Sequence, residues 1–436
     1  MMASSHLFLS ILFTTTFLSI FTLCQSTVPP SETFKFVNQG ELGPYVVEYD
    51  GDYRALDLFT SPFQLCFYNV TPNAFILALR MATLRSESLF RWVWQANLAN
   101  PVRENATVTF GRDGNLVLAD LDGHVAWQTG TANKGVVGLK LFSNGNLVLH
   151  DSLGRFVWQS FDYPTDTLLV GQVLRPSGPT KLISRLSDKD ISNGPYSLVL
   201  EPKRLALYYN NLLYGSILEA FEVGKRSLAS VTFAGATDTD QENATDLRLD
   251  FTLGNSTLAA NSILARPKYN ATLSFLRLGQ DGNLKIYTYD DYVYWDAWEV
   301  TYAFFSRNGR LSECRLPKRC GSFGLCEDNQ CVACPSPKGL LGWSASCLPP
   351  KIPTCNGGRN VDYYKVVGVE HFLNQQYSEG KGPMKMVDCR DRCSNDCKCV
   401  GFFYREESSK CLTVPVLDTL IKVDNSSHVA FIKISK

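Results

Sequence analysis

One segment that occurs three times constrains the fold more than any other feature. The stretches FGRDGNLVLADLDGHVAWQTG, FSNGNLVLHDSLGRFVWQSF and LGQDGNLKIYTYDDYVYWDAW begin at residues 110, 142 and 278. Each one is typical of two short strands joined by tight turns. A single hairpin cannot bury its own apolar face, so the repeat predicts hairpins that pack around a shared core. The tryptophan that lies 13 residues after the turn glycine in each copy is a predicted core residue: Trp127, Trp158 and Trp295.

The sequence around these copies indicates an all-β fold. Residues 31–299 consist of short runs of Val, Leu, Phe, Tyr and Thr, interrupted by Gly, Asn, Asp and Pro. The first two copies belong to a β domain predicted at residues 27–170. The distant third copy, with the strand-like run at 194–209, predicts a second β domain at residues 171–300. Trp92 and Trp94 lie on one face of a strand and are assigned to the core.

The N-terminal residues predict secretion. Residues 6–23 form an apolar, hydroxyl-rich run without a charge, which indicates a signal peptide over residues 1–26. No later run is long enough to predict a membrane span. Lys plus Arg and Asp plus Glu both number 42, so no whole-chain field favours nucleic acid. We therefore predict a secreted chain with no nucleic-acid partner and no membrane span.

The cysteines indicate a disulfide framework. Of 14 cysteines, twelve lie between Cys314 and Cys411. A crowded, even set in a secreted chain is typical of disulfide bonds, and we favour them over zinc sites built on Cys-x-x-Cys. Six of these cysteines form a small module at residues 314–347. The isolated Cys66 is predicted to be a buried free thiol.

The last segment, residues 355–436, is predicted to be α+β. Cys389, Cys393 and Cys397 are spaced by four residues, which places them on one face of a helix, and strand-like runs follow.

Glycosylation is predicted, whereas catalysis is not. No nucleophile elbow, zinc-protease motif, P-loop or dinucleotide fingerprint occurs, so we predict no enzymatic activity, no cofactor and no metal site. A carboxylate pair such as that of a glycosidase cannot be recognised from spacing alone. The candidate acceptors for N-linked glycans are six sequon asparagines: Asn69, Asn105, Asn243, Asn255, Asn270 and Asn425.

Several motifs resemble a plant protein superfamily. Trp94-Gln-Ala-Asn97, the DGNLVL and NGNLVL hairpins and VWQSFDYPTDTLLVGQ resemble the bulb-type, mannose-binding lectin domain. RLGQDGNLKIY followed by WDAWEV resembles the second lectin-like region of S-locus glycoproteins. CRLPKRCGSFGLCEDNQCVACP is similar to their EGF-like module, and CRDRCSNDCKCVGFFY resembles a PAN/apple domain. The combination, which covers the mature chain, most resembles the secreted EP1-like epidermal glycoproteins of plants.

This resemblance implies a mainly β fold. Tandem β-prism II domains of the bulb-type lectin kind would be followed by the disulfide-rich EGF-like module and an α+β PAN/apple domain. The pairings that it implies are six disulfides: Cys389–Cys411, Cys393–Cys399, Cys355–Cys397, Cys314–Cys326, Cys320–Cys331 and Cys334–Cys347.

The resemblance also implies a sugar site with the strand pattern Gln-x-Asp-x-Asn-x-Val-x-Tyr, whose side chains share one sheet face. No copy is complete. The candidate carbohydrate-binding residues retained by the first two copies are Asp113, Asn115, Val117, Asn146 and Val148. The first copy has Gly111 and Ala119 at the outer positions, and the second has Phe142, Asn144 and His150. The third keeps Asp281, Asn283 and Tyr287 but has Gly279 and Lys285.

A turn without a ligand also explains the repeated Asp-Gly-Asn. Asp-Gly and Asn-Gly are favoured in two-residue hairpin turns in which both residues need positive φ. The following Asn can satisfy backbone groups of the turn. We weigh this reading above three intact mannose sites, with one weak site, at Asp113, Asn115 and Val117, as the alternative.

The functional prediction follows from these points. We expect a secreted, non-enzymatic glycoprotein of the apoplast or cell wall that binds mannose-type glycans or glycoproteins weakly. The alternative is a structural or protein-interaction glycoprotein with inactive sugar sites. A protein partner bound through the PAN domain, and a homodimer, are expected by analogy.

Overall fold

A computed structural model describes residues 27–43, 48–81, 90–219, 227–237, 245–254, 259–269, 273–290, 293, 297–351, 361–373 and 382–435. The chain divides into two compact units, one ending at Pro164 and the other beginning at Thr165. The predicted signal peptide, residues 1–26, lies outside the described residues.

The first unit is built of short antiparallel strands: β1 (Phe34–Val37), β2 (Asp52–Thr60), β3 (Phe63–Asn69), β4 (Phe75–Met81), β5 (Arg91–Gln95), β6 (Thr107–Phe110), β7 (Leu116–Ala119), β8 (Val125–Gln128), β9 (Val136–Leu141), β10 (Leu147–Asp151) and β11 (Phe156–Gln159). Their described sheets have the orders β1-β6-β7-β8, β2-β3-β4-β5 and β11-β10-β9. Three such sheets form a β-prism, the fold that the resemblance implied.

One tryptophan from each sheet of the first unit lies at the centre of the prism. The rings of Trp94, Trp127 and Trp158 are pairwise edge to face, with centroids 5.8–6.1 Å apart. Trp94 and Trp158 are buried, as is Trp92, and Trp127 is half-buried. The core assignment of these four residues is therefore confirmed. Aromatic pairs of this geometry add about 0.5–1.5 kcal/mol to the effect of burial alone.

The repeated hairpin has a different turn from the one predicted. In the first copy Gly114 N–H donates to the Gly111 carbonyl, and Gly111 N–H donates to the Asn115 carbonyl. Gly114 has a φ of +79°, but Asp113 is not among the residues with positive φ. The turn is therefore a four-residue turn that ends in a left-handed glycine, not a two-residue turn with both residues left-handed. A Cβ at Gly114 would lie 2.6 Å from the Cβ of Val136, so glycine is required twice over.

The second unit begins with twelve more strands: β12 (Thr167–Leu169), β13 (Val173–Leu174), β14 (Lys181–Arg185), β15 (Asn193–Glu201), β16 (Arg204–Tyr209), β17 (Leu212–Glu219), β18 (Leu228–Thr237), β19 (Thr245–Leu253), β20 (Ala259–Ala265), β21 (Ser274–Leu278), β22 (Leu284–Tyr289) and β23 (Trp298–Ala303). They form three four-stranded sheets with the orders β12-β21-β22-β23, β13-β18-β19-β20 and β14-β15-β16-β17. The second set of sheets thus repeats the architecture of the first.

The cysteine-rich residues complete the second unit, and their described part contains nine strands and one helix: β24 (Phe323–Glu327), β25 (Gln330–Ser336), β26 (Gly339–Gly342), β27 (Val361–Val367), β28 (Val369–His371), α1 (Met386–Asn395), β29 (Gly401–Arg405), β30 (Lys410–Val414), β31 (Asp418–Lys422) and β32 (His428–Ser435). The two sheets have the orders β26-β25-β24-β31-β28 and β27-β32-β29-β30. In the first of them β24 pairs in parallel with β31. The segments predicted as an EGF-like module and a PAN domain therefore share one sheet.

Five disulfide bonds are present among the described cysteines: Cys314–Cys326, Cys320–Cys331, Cys334–Cys347, Cys389–Cys411 and Cys393–Cys399. They are five of the six pairs that the resemblance implied. Cys355, a member of the sixth pair, lies outside the described residues. Helix α1 ends at Asn395, so Cys389 and Cys393 share a helix but Cys397 follows it, contrary to the prediction of one helical face for all three.

Cys66 on β3 is a buried free thiol, as predicted. Burial raises the pKa of this thiol to about 12, against a smaller lowering by Arg80. The thiol is therefore protonated at neutral pH and is a packing residue.

Candidate carbohydrate site

The outward face of the first hairpin is a row of side chains across four strands. Leu116 and Leu118 of β7 point inward and are fully buried, while Val117 between them is half-buried on the other face. Val117 pairs with Thr109 of β6 and with Gln128 of β8, and Thr109 pairs with Lys35 of β1. The hairpin therefore presents one apolar side chain among polar neighbours.

Asp113 is exposed at the turn beside this face. Its Oδ1 accepts a hydrogen bond from the Asn115 N–H at 3.1 Å. Glycine at position 111 leaves room for this arrangement: a Cβ there would lie 2.8 Å from Asp113 Oδ1, so the Asp113 side chain would have to shift. Asp113 Oδ2 makes no hydrogen bond to a described residue, so it is available to a ligand.

Asn115 has a structural role in the hairpin. Its Oδ1 accepts hydrogen bonds from Thr131 N–H at 3.1 Å and Thr129 Oγ1 at 3.0 Å, and its Nδ2 donates to Gln128 Oε1 at 2.8 Å. The side chain is 6% exposed. These bonds tie the turn to the segment after β8, and they explain the repeated Asn without a sugar.

The second hairpin repeats these bonds but covers its outward face. Asn146 Nδ2 donates to Gln159 Oε1 at 2.8 Å, and Asn146 N–H donates to Asn144 Oδ1. Val148, in contrast to Val117, has no exposed surface. The Phe142 ring, at the outer position of the motif, packs against that of Phe156 at 5.8 Å.

The other outer position of the motif in the second hairpin is occupied by His150, whose ring lies over Gly138 of the neighbouring strand β9. A Cβ at Gly138 would be 2.7 Å from its Nε2. Asn146 and Val148 are therefore placed on one hairpin, as predicted, but aromatic side chains occupy the outer positions of the motif and Val148 offers no surface to a sugar ring.

The third hairpin contains an ion pair at the corresponding position. Lys285 Nζ lies 2.7 Å from Asp281 Oδ2. Burial lowers the pKa of Lys285, but the Asp281 carboxylate raises it by more. The net rise in the pKa of Lys285 favours the charged form. Tyr287 stacks on Phe275 with centroids 5.2 Å apart. The retained Asp and Tyr of this copy are thus engaged by neighbouring side chains.

The counterpart of Trp158 in the third copy is Tyr302, not Trp295. Trp158 pairs with Leu149 of β10, and Tyr302 pairs with Ile286 of β22 at the equivalent position. The residues three positions after Trp158 and Tyr302 confirm this alignment. Phe161 N–H donates to Asn146 Oδ1, and Phe305 N–H donates to Asn283 Oδ1. The connection after β22 is longer, so the equal Gly-to-Trp spacing does not reflect equal structure. Trp295 itself lies outside the described residues.

The remaining sheet of the first unit, which contains β4 and β5, is a third repeat that the hairpin motif does not reveal. Here Ile76 stands in place of the turn Asn, and Asn97 supplies the amide from the other side: its Oδ1 accepts from Leu77 N–H at 2.8 Å. The sequence contains a signal for this repeat that the hairpin motif missed. The dipeptide Trp-Gln occurs at 94–95, 127–128 and 158–159, once in each sheet of the unit.

The sequons differ in accessibility. Asn105 and Asn425 are exposed, whereas Asn69 is 7% exposed at the end of β3. A glycan must project into solvent, so among these three asparagines the burial of Asn69 makes it the least favourable acceptor. Asn243, Asn255 and Asn270 lie outside the described residues.

Glycopeptide mapping of the protein expressed through a plant secretory pathway is expected to find Asn105 and Asn425 occupied and Asn69 unoccupied. The physical reason is the burial of the Asn69 side chain in the folded sheet. Recovery of an intact N-glycan on the Asn69 peptide would contradict the assignment.

Two further searches concern the described part of the chain alone. No group of three or more His, Cys, Asp and Glu side chains there could hold a metal ion. No helix in those ranges is long and apolar enough to cross a membrane.

Comparisons with known proteins relate the chain to plant lectin-like glycoproteins. Residues 91–188 match the family model described as D-mannose binding lectin. The chain is 57% identical to the "Epidermis-specific secreted glycoprotein EP1" of Daucus carota over 79% of this chain and 94% of that protein. It is 47% identical to "EP1-like glycoprotein 1" of Arabidopsis thaliana over 97% of this chain and 98% of the relative. A monomeric mannose-binding lectin of Gastrodia elata matches at 18% identity and a TM-score of 0.17, covering 30% of this chain and 96% of the lectin.

Proposed function

The chain belongs to the family of EP1-like glycoproteins, and we propose that it is a secreted, non-enzymatic glycoprotein of the cell wall or apoplast with one weak site for mannose-type glycans. The site is the outward face of the first hairpin, formed by Asp113, Val117 and their cross-strand neighbours. Secretion is supported by the apolar N-terminal run and by the name of the Daucus carota relative, a secreted glycoprotein.

The observation that carries this proposal is the difference among the three hairpins. In the first hairpin Asp113 is exposed and Val117 retains accessible surface. In the second hairpin Val148 is fully buried, and in the third Lys285 neutralises Asp281. A sugar thus finds an acceptor beside an apolar floor on the first hairpin alone among the described copies.

The chemistry of this face suits a pyranose of modest affinity. The ring carbons of the sugar would pack on Val117, while Asp113 Oδ2 would accept hydrogen bonds from hydroxyl groups. Gly111 and Ala119 cannot supply the two outer hydrogen bonds of the motif, each worth about 0.5–1.5 kcal/mol net. Two missing bonds together cost about 1–3 kcal/mol and raise a dissociation constant by roughly five- to 150-fold, so we expect a weak site.

A second function is favoured by the hydrogen bonds of Asn115. Because both polar atoms of its amide are engaged within the protein, the hairpins are complete without a ligand. The chain would then act through protein contacts, with the PAN-like residues 355–436 as the binding region for a partner or a second copy.

The test is the binding of methyl α-mannoside and mannose-terminated glycans to the deglycosylated protein. Asp113→Ala is expected to raise the dissociation constant at least about tenfold, because it removes a charged acceptor. Asp281→Ala is the matched control: it removes the same residue from the equivalent turn of the third hairpin and should leave binding unchanged. Equal losses in both variants, or no binding at millimolar sugar with an intact fold, would support the second function instead.

A further inference from the structure

We propose that Gln128 binds the sugar directly and supplies the side-chain amide that the motif lacks at position 111. This inference rests on the glycan site proposed above. Gln128 follows the central Trp127 and belongs to β8, so it lies outside the strand pattern of the motif. In the structure it is the cross-strand neighbour of Val117 on the outward face, and it is exposed.

The hydrogen bond from Asn115 fixes the orientation of the Gln128 amide. Asn115 Nδ2 donates to Gln128 Oε1 at 2.8 Å, so the oxygen faces the turn. The two atoms Oε1 and Nε2 diverge from one carbon, so the Nε2 group points away from Asn115. It has no hydrogen-bond partner among the described residues. Two amide hydrogens are therefore held in place on the face where Asp113 offers acceptors.

The second hairpin has an equivalent glutamine, Gln159, whose amide N–H donates a hydrogen bond within the protein. Gln159 Oε1 accepts from Asn146 Nδ2 at 2.8 Å, just as in the first hairpin. Its Nε2, however, donates to Asp162 Oδ2 at 3.0 Å. Two equivalent glutamines with the same anchoring bond thus differ in one respect: the first has an amide donor without a hydrogen-bond partner among the described residues, and the second does not.

The pair of groups on the first hairpin defines what it recognises. Asp113 is an acceptor only, and the Gln128 Nε2 group is a donor only. A sugar satisfies both by donating a hydroxyl proton to Asp113 and accepting from Gln128 at a hydroxyl oxygen, with its carbons on Val117. The amide comes from a neighbouring strand instead of from position 111, where this chain has a glycine and therefore no side-chain donor.

Gln128→Glu separates direct binding from support of Asn115. A glutamate oxygen still accepts from Asn115 Nδ2, but the side chain no longer donates a hydrogen bond. Titration of the full chain with methyl α-mannoside, followed by ligand-observed NMR, is expected to show a dissociation constant about two- to tenfold higher for this variant, the effect of one lost hydrogen bond. Gln128→Ala should show at least the same loss.

Gln159→Ala is the matched control, since it removes an equivalent Asn–Gln hydrogen bond from the second hairpin. It should bind like the wild-type protein. If the wild-type protein and Gln128→Glu bind equally while Asp113→Ala does not bind, the role of Gln128 is overturned and the glycan site stands. If the wild-type protein does not bind, the glycan site and the role of Gln128 are both overturned.

Discussion

Replacing Trp158 by alanine is expected to lower the free energy of unfolding of the first unit by about 4 kcal/mol, the effect of truncating a buried tryptophan. Trp158 is 7% exposed and contacts Trp94, Trp127 and Tyr163 through ring pairs. Its loss would leave a cavity where the three sheets meet. Urea denaturation, followed by hydrogen exchange in peptides from β7 to β11, measures the unit separately from the rest of the chain.

Phe156→Ala is the control for this prediction. Phe156 lies on the same strand, β11, but its side chain is 52% exposed. This substitution should lower the free energy of unfolding by less than about 1 kcal/mol, as substitutions of exposed side chains usually do. Equal effects of the two substitutions would contradict a core built around the tryptophan cluster.

Acid is expected to destabilise the second unit through His371. This residue of β28 is fully buried, with its Nε2 3.0 Å from the carbonyl oxygens of both Val416 and Leu417. Burial lowers the pKa of His371 to about 3, although the two carbonyls act in the opposite direction. The unfolded chain, with a histidine pKa of about 6.5, binds the proton first as the pH falls. Stability is therefore present in full above about pH 6.5 and is lost progressively towards pH 3.

While the unfolded chain alone binds the proton, the free energy of unfolding falls by about 1.4 kcal/mol for each pH unit. His371 therefore lowers the free energy of unfolding by about 3 kcal/mol between pH 6.5 and pH 4. His371→Gln retains a donor for the carbonyls but does not titrate. Between pH 6.5 and pH 4, the free energy of unfolding of His371→Gln should therefore fall by about 3 kcal/mol less than that of the wild-type protein. Denaturation followed by hydrogen exchange in β28 and β31 measures this difference. His124→Gln, at an exposed position of the first unit, is the control for the substitution itself and should leave the hydrogen exchange of β28 and β31 as in the wild-type protein. Parallel curves for wild type and His371→Gln would contradict the prediction.

Local signals predicted much of the fold correctly. Alternating apolar residues around Gly114 and Gly145 predicted the hairpins, because a strand buries every second side chain and a left-handed turn residue favours glycine. The mainly β class was confirmed, and the disulfides found in the cysteine-rich region are those that the resemblance implied.

The features missed from the sequence depend on long-range pairing. The sheet of β2 to β5 lacks the hairpin motif because Asn97, after its last strand, replaces the turn asparagine. The pairing of Tyr302 with Ile286 depends on the length of a connection, which the Gly-to-Trp spacing did not reveal. Gln128 became a candidate only when the register placed it beside Val117. Cross-strand neighbours are set by register, and no spacing along one strand specifies them.

The central claim is that one hairpin of the three retains a sugar site, and a crystal structure of the deglycosylated protein soaked with methyl α-mannoside tests it most directly. We expect one sugar on the first hairpin, within hydrogen-bond distance of Asp113 and Gln128 and in contact with Val117. The faces that carry Phe142 and Lys285 should hold none. A sugar on the second or third hairpin, or an unoccupied first hairpin at saturating ligand, would contradict the account.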